Sequence, residues 1–151
     1  MGSRMTSLHL YQAEKQDIQQ IHNLLKDYKE KELANCNFPE VDEIKLNKYL
    51  EAFLKIGKII CVKNIDSDKL VGCLIFYKDE YWFSKQKIMT IEMIYIQPQF
   101  RNYKLFKQLI DMVKKVSDNN PIVFSITSKL DIDPVLERLG FENMGSNWRL
   151  T

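Results

Sequence analysis

The sequence predicts an α+β fold, with a mixed, mostly antiparallel sheet of six to seven strands flanked by about four helices. Three observations carry this. Apolar runs of strand length recur at KIICVKN (58–64), LVGCLIFYK (70–78), IMTIEMIYIQP (88–98) and PIVFSIT (121–127). The polar IDSDK stretch joins the first two so closely that they form a hairpin. A helical pattern separates the last two, so that pair runs parallel through a crossover while the earlier ones are antiparallel.

Each element follows in order. Thr6 to Gln12 reads as a first strand. Asp17 opens a helix with Ile18, Ile21, Leu24, Leu25 and Tyr28 on one face, and Asn35 to Pro39 breaks it. Val41 to Ile56 forms a second helix with Leu46, Leu50, Phe53 and Leu54 buried, ended by Gly57. The run at 70–78 is almost wholly apolar and belongs at the centre of the sheet. DEYWFSKQK is looser, with an aromatic cluster of Tyr77, Tyr81, Trp82 and Phe83 around it. After the strand at 88–98, Leu105, Leu109, Ile110, Val113 and Val116 sit at helical spacing. Asp133 is the expected N-cap and Pro134 the first residue of a short helix, VLERL, and Gly140 suits the left-handed position after it. FENMGSNWRL is expected to close the chain as a hairpin turning near Gly145.

The bulk numbers narrow the function classes. The 151 residues suit one domain, 1–151, with residues 1–4 read as a cloning remnant before a start at Met5. A net charge of +2, with lysines and acids interspersed, has no basic stripe for nucleic acid. No run approaches the roughly 18 apolar residues of a membrane span, and no signal peptide is visible. Cys36, Cys61 and Cys73 lack metal or disulfide spacing and point to a reduced, cytoplasmic protein. His9 and His22 are isolated, and no metal site is expected.

In this order, four segments together resemble the GNAT superfamily of N-acyltransferases. LVGCLIF is similar to its third strand. IEMIYIQPQFRNYKLFKQLID is similar to its fourth strand, acyl-CoA loop and following helix. PIVFSIT is similar to its fifth strand, and VLERLGFE to its helix-to-strand ending. The segments lie between residues 70 and 142, a span of about half of the chain. The resemblance implies strands four and five splayed apart with acetyl-CoA, as cosubstrate, wedged between them. It implies free backbone amides near Ile94 and Ile96 for the pantetheine and thioester carbonyl. It also implies a diphosphate on the amides of 102–106, where unpaired N–H groups and the helix dipole favour an anion.

The implied cofactor-binding residues are therefore Ile94, Ile96, Arg101, Asn102, Tyr103, Lys104, Leu105 and Phe106. Aligning Arg101 with the family's arginine puts Lys104 and Phe106 where the family has small residues. Phe106 must turn its ring away to leave the phosphates room, Lys104 can add charge, and Asn102 can cap the helix. The general-acid tyrosine of many family members is replaced by Leu136, with Tyr95 and Tyr103 as substitutes.

Amine acylation needs a base, because an alkylammonium is protonated at neutral pH. Glu92 is the catalytic candidate, as the one charged side chain between Ile88 and Ile96. Strand alternation puts it on the face of Ile94 and Ile96, and burial there would raise its pKa. Two readings stand: an N-acetyltransferase acting on a primary amine of a small molecule or a protein, or a catalytically silent GNAT-shaped binding module. Pairing into a homodimer is compatible with both.

Overall fold

The computed structural model describes residues 7–125, 132–145 and 147–150. Its sheet has five strands in simple sequential order. They are β1 (Leu8–Gln12), β2 (Lys58–Asn64), β3 (Lys69–Glu80), β4 (Lys87–Ile96) and β5 (Ile122–Phe124). The first three junctions are antiparallel and the β4–β5 junction is parallel. Four helices flank the sheet: α1 (Ile18–Glu32), α2 (Glu43–Ile56), α3 (Tyr103–Val116) and α4 (Asp133–Arg138).

The continuous apolar runs are explained by burial on both faces. In β2, Ile59 and Cys61 face α1 and α2, packing with Ile21, Leu24 and Leu50. Ile60 and Val62 face α3, packing with Leu109, Ile110 and Val113. A strand covered on both sides has no polar face to show, so its sequence does not alternate.

Two caps bound α2. Asp42 accepts a hydrogen bond from the Lys45 N–H at 3.0 Å and starts α2. Gly57 ends α2 and lies against β3, where an added Cβ would sit 2.5 Å from the Phe76 carbonyl oxygen and 3.0 Å from the Tyr77 Cβ. The obstacle is backbone and cannot swing aside. Gly57→Ala is expected to destabilise the protein by about 1–3 kcal/mol, an overpacking cost. Urea unfolding would show it, and an unchanged midpoint would refute the tight approach.

The strand count expected from sequence was too high. Among the described residues there are five strands, and neither 141–145 nor 147–150 pairs into a hairpin. Phe141 alone leans on the α3-side core, while Trp148 and Leu150 are 92% and 98% exposed, so the closing segment has no inward-facing set to hold it on the sheet. Asp133 lies inside α4, with Ile132 before it as the cap residue. Residues 126 and 127 of the PIVFSIT run fall outside the described residues.

Candidate active site

The β4 edge that faces β5 is only partly paired. β5 pairs with β4 only at Met89, Thr90 and Ile91. β4 runs on to Ile96, held on its other side by β3. The Gln97 N–H donates to Val71 at 2.8 Å, toward β3. Main-chain groups alternate sides along a strand, so the N–H groups of Ile96 and Ile94 point the opposite way, to the β5 side. Among the described residues, no strand meets that edge beyond Ile91.

A bulge marks the point of departure. Opposite β4, Phe76 pairs with Ile91 and Ile75 with Met93, and Glu92 is skipped. An extra residue disrupts the ladder and sharpens the twist. It also changes the facing of Glu92. Ile91, Ile94 and Ile96 pack in the α3-side core, whereas Met93 and Tyr95 pack toward α1 and α2. Glu92 points toward α2 as well: its Oε1 accepts from the Tyr49 hydroxyl at 3.2 Å. Glu92 therefore does not share the face of Ile94 and Ile96, and it is exposed rather than buried. Unbroken alternation would put the three on one face, and the bulge removes it.

The second half of the site is the start of α3. Asn102 caps the helix, its Oδ1 accepting from the Leu105 N–H at 2.8 Å. The Phe106 N–H donates to the Asn102 carbonyl at 3.2 Å. Of the amides expected to meet a diphosphate, those of Leu105 and Phe106 are thus engaged, and those of Tyr103 and Lys104 remain as the helix's open donors. Phe106 is 9% exposed with its side chain in the α3-side core, and Leu105 is buried beside it. The ring that could have crowded the loop points inward.

Cations around this turn are unequally available. The Arg101 Nε donates to the Ile96 carbonyl at 2.7 Å, and its guanidinium pairs with Glu32 of α1 at 2.6 Å. That side chain ties the end of β4 to the end of α1. Lys104 is exposed, and among the described residues it makes no ion pair. Arg138, from the far end of α4, lies over the Tyr103 ring at 3.7 Å from its centroid. Sequence reasoning missed Arg138, since a stacking partner 35 positions away leaves no local pattern.

These donors and cations fit a thioester cofactor with a diphosphate. Two main-chain N–H groups face the β4 edge that no described strand meets, two more open the helix, and exposed positive charge stands nearby.

Of the tyrosines considered as general acids, Tyr95 directs its hydroxyl away from this turn. Tyr95 is buried, and its hydroxyl donates to Asp27 of α1 at 3.1 Å. Burial, and then the Asp27 hydrogen bond, push its pKa well above the usual tyrosine value. Tyr103 has its ring under Arg138. Tyr77 packs on Phe53 of α2, while Tyr81 and Phe83 stack on each other in the β3–β4 loop beside Trp82, which is 95% exposed. Burial and the nearby Asp17 charge push the Cys61 thiol up to about 12, so it has no thiolate to offer near neutrality.

The family described as Acetyltransferase (GNAT) domain matches residues 24–149, and the chain belongs to it. It is a GNAT N-acetyltransferase, and acetyl-CoA is its acetyl donor. Similar solved structures share the fold at low identity. An aminoglycoside N-acetyltransferase AAC(6')-Iy in complex with CoA has a TM-score of 0.74 at 16% identity, over 100% of this chain and 98% of that one. A Trypanosoma brucei acetyltransferase has a TM-score of 0.72 at 18% identity, over 96% and 99%. A predicted acetyltransferase with acetyl-CoA from Clostridium acetobutylicum has a TM-score of 0.69 at 17% identity, over 96% of each. No curated protein matches the chain in sequence. No helix among the described residues is long and apolar enough to cross a membrane.

Proposed function

We propose that this N-acetyltransferase acts on a primary amine by direct attack, with Glu92 as the base and no covalent enzyme intermediate. One observation carries the reading: the β4–β5 ladder stops at Ile91, and the next residue is the skipped, exposed Glu92. The carboxylate therefore stands beside the edge whose donors face the gap.

In the reaction, Glu92 takes a proton from the ammonium, directly or through water. The amine lone pair attacks the thioester carbonyl carbon. The amides of Ile94 and Ile96 stabilise the oxyanion as the tetrahedral intermediate forms. The carbon–sulfur bond then breaks as the nitrogen gives its second proton to water and the neutral amide forms, and the CoA thiolate takes a proton from solvent, since Leu136 replaces the usual tyrosine. The diphosphate rests on the amides of Tyr103 and Lys104, with the Leu105 amide joining once the Asn102 side chain yields. Lys104 and Arg138 supply charge from either side, and Arg101 holds the strand end in place.

The acceptor is a small-molecule or protein amine. A single domain, a reducing cytoplasmic setting and homodimerisation complete the proposal. The buried state of all three cysteines supports the compartment. The exposed aromatic loop at 81–83 supports an interface.

Thermal unfolding with added acetyl-CoA tests the cofactor site. At a hundredfold excess over Kd the folded state gains about 2.7 kcal/mol, a rise of several degrees in Tm. Lys104→Ala and Arg138→Ala are each expected to weaken binding by roughly two- to fivefold, the scale of an exposed charge pair. No shift at millimolar acetyl-CoA would defeat this placement of the cofactor site.

A further inference from the structure

We infer that Tyr49 is a positioning residue for the Glu92 carboxylate, and this rests on the reading of Glu92 as base. The two residues are 43 positions apart, and one hydrogen bond of 3.2 Å joins α2 to the bulge of β4. No other hydrogen bond or ion pair to the Glu92 carboxylate is made among the described residues. A bulge residue lacks the cross-strand neighbour that would order its side chain. An exposed glutamate without such a neighbour samples many rotamers. The Tyr49 hydroxyl selects one of them.

That hydroxyl is itself fixed by packing. The Tyr49 ring meets Phe53 edge-on at 4.7 Å, and Phe53 meets Tyr77 of β3 at 5.6 Å. Tyr77 pairs across the ladder with Thr90 of β4, two residues before Glu92. The three rings form a chain from α2 to β3, the strand next to the one that carries the acid. Burial, and then the neighbouring Glu92 charge, push the Tyr49 hydroxyl well above its ordinary pKa, so it stays protonated and donates throughout the working range. The bond occupies Oε1 and leaves Oε2 for the incoming ammonium.

Tyr49→Phe removes the hydroxyl and keeps the ring. It is expected to lower kcat roughly ten- to a hundredfold, the scale of one hydrogen bond to a charged group. The KM for acetyl-CoA and the Tm should stay at their starting values. A merely structural tyrosine would act regardless of Glu92, so the cycle with Glu92→Gln decides. In that background Tyr49→Phe should cost little more, because the two act as a unit. An unchanged kcat in Tyr49→Phe, with Glu92→Gln impaired, overturns the positioning role and leaves the base intact. Fully multiplicative losses in the double variant overturn it as well. If Glu92→Gln itself retains activity, the base assignment fails and this inference falls with it.

Discussion

Glu92→Gln is expected to lower kcat by about 10²- to 10⁴-fold, the usual contribution of a positioned general base. The substitution is nearly isosteric, and the amide oxygen can still accept from Tyr49, so the bulge and its surroundings should persist. KM for acetyl-CoA and the acetyl-CoA-dependent rise in Tm should therefore be unaffected. The defect should narrow as pH rises, because an alkylamine with a pKa of about 10 gives up its proton unaided in alkali. Steady-state rates from pH 6 to 10 with one amine acceptor would measure both effects. Turnover within twofold of the parent at neutral pH would take Glu92 out of the chemistry.

Leu109→Ala should have the largest effect on stability, about 2–5 kcal/mol lost. Leu109 is fully buried at the centre of α3's inner face, against a cluster that includes Leu74, Ile91 and Val113. The same helix carries the open amides of Tyr103 and Lys104, so loosening it disturbs the anion site as well. Denaturant unfolding would give the stability change, and acetyl-CoA titration the change in affinity. A loss below 1 kcal/mol would mean that α3 is seated less firmly than its burial implies.

Much of the fold was readable because burial writes itself into composition. The 58–64 run became β2 over the same residues, and Leu105, Leu109, Ile110 and Val113 became the inner face of α3. The parallel β4–β5 junction followed from the intervening helix. The departures have physical causes too. A bulge adds a residue without any signature in side-chain type, so plain alternation assigned Glu92 to the wrong face. Tyr49 and Arg138 reach the site by tertiary packing, over sequence distances that no local pattern spans. The closing hairpin failed because Gly145 and the apolar residues around it suggested a turn, yet Trp148 and Leu150 stand almost fully exposed.

Because β3 counts Phe76 and Ile75 as neighbours while β4 places Glu92 between their partners, altering this position and removing it are different lesions. A point change alters the acid and keeps the kink. A three-base deletion would let Ile91 and Met93 follow one another in plain alternation and take the kink out of the strand. The first kind of descendant would keep the backbone that the acid stands on. The second would lose both together.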